Sequence, residues 1–294
     1  MANARVIVKR RKTVRNIRKI TRTMQLIATA RFQAAYTRAT ATKPYTERMA
    51  ELVADLSSAV GEEMAHPLMR ARTEVKRSAV AVLTSSRGLC GGYNTGVLRA
   101  AIGHLDAEAV KGVENDVYMV GKKGIGYFRF LRRSMLERIT HISDAPRFEQ
   151  VEPMANGLMD RFIRGEIGAV HVVYTRFYSL GRQRPAVMQL LPLTTEAVGA
   201  ATEEKRKAPV QYEFSPGPKE LLAELLPATV RVRLFQCFID ATVSEQIARM
   251  VAMKAATEAA AEMITALTRK YNRARQTQIT MELLDIVGGA NSLA

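Results

Sequence analysis

Tryptophan is absent from this 294-residue chain, and aromatic side chains make up only 6% of it. A composition with few aromatics and many Ala, Leu and Met residues favours long helices over a β-sandwich. The sequence also has no apolar run close to the roughly 18 residues that a membrane span needs. It therefore predicts a helix-rich globular protein with no transmembrane helix.

Cysteine and histidine are scarce as well. The two cysteines, Cys90 and Cys237, are far apart among apolar neighbours, so we expect reduced thiols in the core. No CxxC pair is present and the four histidines are scattered, which excludes the usual patterns of a zinc site or a dithiol switch. Because no nucleophile–base pair or pair of carboxylates stands out either, we expect no catalytic site, no metal and no cofactor.

Acidic residues are missing from the start of the chain. Residues 1–46 contain twelve Lys and Arg and no Asp or Glu, whereas residues 240–294 contain six of each sign. With a net charge of +16, the protein is expected to meet an anionic partner: nucleic acid, a membrane surface or an acidic protein. Nucleic acid is disfavoured, because an apolar stripe runs through the basic residues instead of following them as in a basic-zipper protein.

Glycine and proline are absent from residues 1–43 and 228–287. The first stretch has an apolar stripe of helical spacing, formed by Val14, Ile17, Thr21, Met24 and Ala28 and widened by Ile20 and Ile27. We expect Pro44 to interrupt this helix and a second piece to run from Thr46 to Val60.

The second stretch predicts a longer helix that Gly288 and Gly289 would end. Such a helix would be roughly 90 Å long, too long to fold onto one core. Its apolar stripe needs a partner, and the N-terminal helix offers one. The two chain ends are therefore predicted to form an antiparallel coiled coil.

The middle of the chain has short apolar runs typical of buried strands, with helical patterns between them. The predicted strands are Ala79–Thr84, Val117–Val120, Ala169–Tyr174 and Ala186–Leu191. The helix after the first would begin at Asn94 or Thr95 as its cap, and residues 199–220 would form an exposed excursion. This alternation predicts a mainly parallel sheet.

The predicted fold class is thus α/β, with a Rossmann-like central domain and a long antiparallel coiled coil of the N- and C-terminal helices. The expected divisions are residues 1–60 for the first helix, 75–215 for the α/β domain and 218–294 for the last helix.

A glycine-rich segment, residues 85–94, follows the first predicted strand. Its spacing is neither GxGxxG nor GxxxxGK[ST], so a phosphate-binding loop is disfavoured. We interpret Gly88, Gly91 and Gly92 as a tight turn that brings strand and helix close together. The segment Gly121–Gly126 also fits no phosphate loop, and its two lysines are expected at the surface.

Three blocks of sequence resemble the gamma subunits of rotary ATP synthases. Residues 18–24 (RKITRTM) with Ala28 are similar to the N-terminal signature, residues 87–94 (RGLCGGYN) to the central turn, and residues 244–257 to the C-terminal signature, which residues 271–283 continue. The chain departs from the pattern at Ser86 and at Glu258-Ala259, where the family often has Asp and Asp-Asn. The blocks span nearly the whole chain in the family's order.

The resemblance implies a non-catalytic rotor shaft that transmits rotation between a membrane ring of c subunits and the hexamer of α and β subunits. The implied partners are these subunits and epsilon, with no nucleic acid, and the membrane is reached only through the c ring. The residues implied to contact the β subunits are Met24, Glu245, Arg249, Arg275, Gln276, Thr280 and Glu282.

Two of these assignments have plainer alternatives. Met24 also fits ordinary coiled-coil packing, and Arg249 also fits a solvated position on the helix. By resemblance, acidic residues on the β lever would attract Arg249 and Arg275, and the mostly apolar segment 283–287 would suit a hydrophobic sleeve. Because the shaft motif begins as early as Arg18, little room is left for a transit peptide, and we expect a bacterial protein at the cytoplasmic face of the inner membrane.

Overall fold

The computed structural model describes residues 4–60, 66–72, 75–142, 145–193 and 217–293. Its helices are α1 (Ala4–Val60), α2 (Tyr93–Val110), α3 (Lys122–Phe130), α4 (Phe148–Ile163) and α5 (Pro218–Leu293), with a short 3₁₀ turn at Pro67–Met69. Its strands are β1 (Arg77–Leu83), β2 (Glu114–Val120), β3 (Glu137–Ile139), β4 (Ala169–Ser179) and β5 (Arg182–Leu191). The chain divides into two compact units, one formed by its two ends, up to Ala30 and from Arg249, and one formed by Arg31–Ala248.

The larger unit, Arg31–Ala248, is built on a five-stranded sheet in the order β3-β2-β1-β4-β5. The strands from β3 to β4 run parallel, and β5 pairs antiparallel with β4. The α/β class with a mainly parallel sheet, predicted from the sequence, is confirmed. All four predicted strands are present, and each is longer in the structure than its apolar run, because the ends of a strand need no apolar side chains.

Alternate residues of β1 supply the two faces of the sheet. Ala79 and Ala81 belong to a core that also contains residues of α4 and of the α1 and α5 segments of this unit. Val80 and Val82 belong to a second core with residues of α2 and α3. This period of two, with apolar residues on both faces, is what a fully covered parallel sheet requires.

Helices α1 and α5 also pack on each other within this unit. Ala35 and Ala39 lie in one cluster with Ile239, Val243 and Ile247. Small side chains on α1 allow the larger ones of α5 to approach its backbone closely, so the helices pack tightly without a leucine-rich seam.

The unit of the chain ends consists of the first part of α1 and the last part of α5. Ile7 and Val14 pack with Ala260 and Leu267. The Arg11 guanidinium lies 5.1 Å from the ring centre of Tyr271, and the hydroxyl oxygens of Thr21 and Thr257 are 2.8 Å apart. Since higher numbers on one helix meet lower numbers on the other, the pairing is antiparallel, as predicted.

The predicted helix boundaries were wrong at two places. Pro44 lies inside α1, and α5 continues through Gly288 beyond the predicted stop. Pro44 is exposed, so water can bond the carbonyl that it leaves without an amide partner. The start of α5 at Pro218 also shortens the predicted excursion, whose residues 199–216 lie outside the described part of the chain.

The apolar stripe of α1 is narrower than predicted. Ile17, Ile20 and Ile27 are exposed, whereas Val14 and Ala28 are buried, fourteen residues apart. A spacing by multiples of seven is the period of a coiled-coil seam, in which only one edge of the helix faces its partner.

Two elements and one helix cap differ from what the sequence predicted. Helix α3 occupies Lys122–Phe130, where three nearby glycines argued against a helix, and β3 has only three residues. Gly92 takes the N-cap position of α2, and the side chain of Asn94 bonds back to Ser85 instead of capping the helix.

Candidate functional site

The central turn is held by a hydrogen-bond network around Ser85. The backbone amide of Ser85 donates to Asn94 Oδ1 at 3.0 Å, and its hydroxyl donates to the carbonyl oxygen of Arg87 at 2.6 Å. Asn94 Nδ2 lies 3.2 Å from the sulfur of Cys90. The bonds tie the start of α2 to the end of β1, so this segment is a fixed turn.

Two residues of the turn have positive φ angles, Leu89 at 64° and Gly91 at 55°. Gly91 takes this conformation without steric cost, because it has no Cβ. Leu89 has a Cβ and does bear that cost, and its side chain is exposed to solvent. A Cβ on Gly92 would meet nothing within 4 Å, and one on Gly88 would lie 3.4 Å from the side chain of Lys123. Of the three glycines assigned to the turn, Gly91 is the one whose backbone conformation favours glycine.

The next turn along the sheet edge depends on Gly121, to which the sequence assigned no structural role. Its φ is 93°, and a Cβ there would lie 2.1 Å from the carbonyl oxygen of Thr84. The Thr84 hydroxyl donates to the carbonyl of Val120 at 2.6 Å and accepts from the amide of Gly124 at 3.0 Å. The ends of β1 and β2 and the start of α3 are therefore joined in one rigid edge.

The start of the C-terminal signature lies against this edge. Ser244 donates a hydrogen bond to the carbonyl oxygen of Thr175 on β4 at 3.1 Å. Glu245 is only 7% exposed and lines a small cavity of about 40 Å³ together with Ser86 and Tyr93. The structure thus brings the C-terminal signature and the central turn together, although about 150 residues separate them in the sequence.

Within the unit of the chain ends, Arg249 is 6% exposed and Met24 is half-buried. The interpretation of Arg249 as a solvated helix residue is therefore wrong. Its burial gives it a role within this chain in addition to any contact with a partner.

The last part of α5 has the opposite character. Arg275, Gln276, Thr280 and Glu282 are all exposed, and the amide of Gln278 donates to Glu282 at 3.0 Å. Large apolar side chains are exposed on the same segment: Ile279, Met281, Leu283, Leu284, Ile286 and Val287. So many exposed large apolar side chains on one segment indicate a contact with another molecule.

Among the described residues, no group of three or more His, Cys, Asp or Glu side chains is arranged to hold a metal ion. Both cysteines are buried free thiols, and burial raises the pKa of Cys237 to about 12, which keeps it protonated and unreactive. No helix within the described ranges is long and apolar enough to cross a membrane.

Comparison with known proteins gives a consistent result. The profile of the ATP synthase family matches residues 3–293. The ATP synthase gamma chain of Rhodopirellula baltica is 43% identical over all of this chain and 99% of its own length. That of Leptospira biflexa is 37% identical over the full length of both chains.

Solved structures agree in fold. A chain of the Euglena gracilis mitochondrial ATP synthase, solved with OSCP, F1 and the c-ring, matches with a TM-score of 0.65 at 17% identity, covering 99% of this chain and 94% of that one. A chain from the central stalk and c-ring of the Tetrahymena thermophila mitochondrial ATP synthase matches with a TM-score of 0.58 at 19% identity, covering 81% of this chain and 99% of that one. The family profile and the relatives, which cover the chain from end to end, show that it belongs to the ATP synthase gamma chain family.

Proposed function

We propose that this chain is the central rotor shaft of an ATP synthase, which carries rotation between a membrane ring of c subunits and a catalytic hexamer of α and β subunits. The observation that carries this proposal is the antiparallel pairing of the chain ends, whose exposed surface is basic and apolar. A shaft inside a ring of other subunits needs such a surface, because every side of it meets a partner. Catalysis takes place in the β subunits, and the shaft has no active site of its own.

The mechanism follows from the asymmetry of the shaft. Three β subunits surround one chain, so each meets a different face of it. Contacts that differ in free energy favour a different conformation at each catalytic site. Rotation moves these contacts from one β subunit to the next, and the same coupling run in reverse turns ATP hydrolysis into rotation.

Three parts of the chain would share this work. Residues 1–60 and 218–294 would form the shaft, and residues 75–215 the domain that rests on the c ring beside epsilon. The matching chains come from ATP synthases solved with a c-ring and, in one of them, F1, which supports the c ring and the hexamer as partners, whereas epsilon is implied by the family resemblance alone. The protein would then be peripheral, at the cytoplasmic face of a bacterial inner membrane, and would meet the membrane only through the c ring.

Among the proposed β-subunit contacts, Arg275, Gln276, Thr280 and Glu282 are exposed and can touch a partner directly. We propose that Arg275 pairs with an acidic side chain of the β lever. Met24, Glu245 and Arg249 are buried or half-buried and would act at that contact mainly by holding the helices in position.

The first test is to recover the tagged chain from its native membranes, with mass spectrometry and an ATPase assay. Recovery of α and β subunits with ATPase activity, together with an inactive isolated chain, is the expected result. Recovery of nucleic acid, or of the chain alone with its own activity, would overturn the shaft assignment.

The contact residues are tested by substitution in membrane vesicles. We expect Arg275→Ala to lower the number of ions pumped per ATP hydrolysed without changing the melting temperature of the chain. Arg273→Ala removes the same charge from another exposed position of α5 and serves as the matched control. Arg249→Ala should impair coupling as well, but with a lower melting temperature, because it empties a buried position. Equal pumping by the Arg275 variant and the wild type would remove Arg275 from the contact.

A further inference from the structure

The hairpin of β4 and β5 carries a cluster of positive charge beside its turn. Residues 169–191 contain no Asp or Glu and three arginines: Arg176, Arg182 and Arg184. All three side chains are exposed, and within the described ranges none of them forms an ion pair. The nearby carboxylate of Asp240 on α5 accepts a hydrogen bond from Gln236 at 2.9 Å instead. The described part of the chain therefore leaves the charge of this hairpin without a counter-charge.

The strand register places two of these charges against each other. Arg176 of β4 lies directly opposite Arg184 of β5. Arg182 is two residues from Arg184 on the same strand and so points to the same face of the hairpin. Like charges directly opposite each other in an antiparallel pair lower its stability. An anion from outside the chain, bound between the arginines, would remove this repulsion, and nothing in the rotor function assigns a partner to this hairpin.

The turn between the two strands is held by its own hydrogen bonds. The side-chain amide of Gln183 donates to the carbonyl oxygens of Ser179 and Leu180, both at 2.7 Å. Leu180, at the tip, is 59% exposed. A partner that binds here meets a backbone that is already ordered, so less conformational entropy is lost on binding.

A tyrosine holds two of the arginines in place. The register between the strands shifts between Phe177 and Ser179, which makes Tyr178 the extra residue of a β-bulge, a feature that re-aims a side chain. The Tyr178 ring centre lies 5.3 Å from the guanidinium carbon of Arg176 and 5.0 Å from that of Arg182. Cation–π attraction thus positions both guanidinium groups. Neither donates a hydrogen bond to a residue in the described ranges, so their N–H groups remain available to an acceptor outside the chain.

The chemistry of this surface favours the carboxylates of a protein over other anions. A nucleic acid would need an open aromatic face for its bases, and the Tyr178 ring is already in contact with two guanidinium groups. A membrane surface would need several apolar side chains to insert, whereas Leu180 stands alone at the tip. Arginine and tyrosine are residue types that contribute strongly at protein interfaces, and a guanidinium binds a carboxylate through two parallel hydrogen bonds.

We propose that the β4–β5 hairpin is a docking site for an acidic segment of a partner protein. Arg176, Arg182 and Arg184 would bind its carboxylates, and Leu180 would contact an apolar side chain of the same segment. The hairpin belongs to the Arg31–Ala248 unit and is separate from the residues on the last part of α5 that would meet the β subunits. The proposal can therefore be tested on the isolated chain, whatever the outcome for the rotor shaft.

The first test measures binding to the purified full-length chain by fluorescence anisotropy at constant ionic strength. The three probes are a labelled peptide of six glutamates and two leucines, a labelled single-stranded DNA of the same charge, and labelled phosphatidylglycerol vesicles. The hairpin variant combines Arg182→Gln with Arg184→Gln. The matched control combines Arg129→Gln with Arg138→Gln, which removes two exposed arginines of the same unit that also form no ion pair within the described ranges.

We expect the acidic peptide to bind about tenfold more weakly to the hairpin variant and less than about twofold more weakly to the control. Binding of the DNA and of the vesicles should change equally in the two variants. Equal weakening of peptide binding in both variants, or a hairpin-specific loss for the DNA or the vesicles instead, would overturn the proposal. A lower melting temperature of the hairpin variant than of the control would assign the arginines to the stability of the hairpin and would also overturn it.

The second test uses the complex purified from native membranes. Arg182→Lys keeps the positive charge and supplies an amine that a carbodiimide joins to a carboxylate in direct contact, and Arg138→Lys is the control. Mass spectrometry should find the new lysine at position 182 joined to an Asp or Glu within an acidic segment of another subunit, and far less product at position 138. An intact complex without a crosslink at position 182 would show that no acidic segment docks there.

Discussion

The two compact units of this protein use their apolar residues in different ways. In the Arg31–Ala248 unit, two cores cover both faces of the sheet, and side chains such as Phe128 and Phe162 are almost completely buried. In the unit of the chain ends, the described cluster has four buried members: Ile7, Val14, Ala260 and Leu267. One unit has a core of its own, and the other has little more than a seam.

The exposed residues show the same contrast. The described chain ends expose a long series of large apolar side chains: Val6, Val8, Ile17, Ile20, Leu26, Ile27, Val251, Met263, Ile279, Met281, Leu283, Leu284, Ile286 and Val287. Stable monomers rarely expose so much apolar surface without a partner. The sheet unit is therefore stabilised by its own cores, whereas the chain ends leave apolar surface exposed for contact with other subunits.

The largest effect is expected when the same residue type, leucine, is replaced by alanine in each of the two units. Leu158, on α4, is 1% exposed, and Leu284, on α5, is 60% exposed. We expect Leu158→Ala to lower the free energy of unfolding by about 2–5 kcal/mol, because it leaves a cavity in a packed core. Leu284→Ala should change it by less than about 0.5 kcal/mol.

Urea unfolding of the isolated full-length chain, followed by circular dichroism, measures both values. In the assembled complex we expect the opposite order for function. Leu284→Ala should lower the torque more than Leu158→Ala does, and by more than its small effect on stability explains. A large loss of stability for Leu284→Ala in the isolated chain would mean that the chain ends do have a core of their own.

A second test lowers the pH. All four histidines lie outside the unit of the chain ends, so their protonation should affect only the sheet unit directly. The pKa of His171 on β4 is lowered from its ordinary value of 6.5 to about 4, mainly by burial and also by His104 on α2, whose ring centre lies 4.6 Å away. Burial also lowers the pKa of His104. Glu108, which raises both pKa values, and Lys111, which lowers both, are the charged groups nearby.

The direction of the effect follows from these shifts. Above pH 6.5 both the folded and the unfolded chain hold His171 neutral. As the pH falls from 6.5 towards 4, the unfolded chain binds a proton at His171 and the folded chain does not. The free energy of unfolding therefore decreases across this pH range. The loss at pH 5 should be on the order of 2 kcal/mol from His171 alone.

Comparison of unfolding curves at pH 7 and pH 5 measures this loss. His171→Gln should remove most of the difference between the two curves, whereas His141→Gln, at an exposed position, should leave it unchanged. Amide exchange of β4 should quicken at pH 5, relative to its intrinsic rate, more than that of the paired chain ends. The same acid sensitivity in His171→Gln would assign it to carboxylates instead.

These contrasts also explain what the sequence could predict. Long segments without Gly or Pro and with a regular stripe predicted the paired helices, and short Val-rich runs predicted four of the five strands. Both signals are local in the sequence. The continuation of α1 through Pro44 and of α5 through Gly288 was missed, because a long cooperative helix overrides single-residue propensities of about 1–3 kcal/mol.

The remaining features depend on residues that are distant in the sequence. Burial of Glu245 and Arg249 could not be predicted, because charged residues on a helix normally face water and only the packed fold reverses this. A cavity in the sheet unit is lined by Arg38 and Lys122 from separate elements, and no spacing along the chain predicts it. Helix α3 was missed for a local reason, since three of the six residues Gly121–Gly126 are glycines that disfavour a helix.

The smallest effect concerns how the chain ends are held together. The hydroxyl oxygens of Thr21 and Thr257 lie 2.8 Å apart, and that of Thr257 also lies 2.8 Å from the carbonyl oxygen of Met253. We expect Thr257→Val to lower the free energy of unfolding by about 1 kcal/mol, because it leaves the Thr21 hydroxyl without this partner. The double variant, with valine at both positions, should lose less stability than the sum of the two single variants, since two apolar side chains then face each other.

Thr265→Val, at an exposed position of the same helix, is the control and should have almost no effect. Additive losses in the urea unfolding of the four variants would mean that the two hydroxyls do not act as a pair, and the seam would then depend on its few apolar side chains alone.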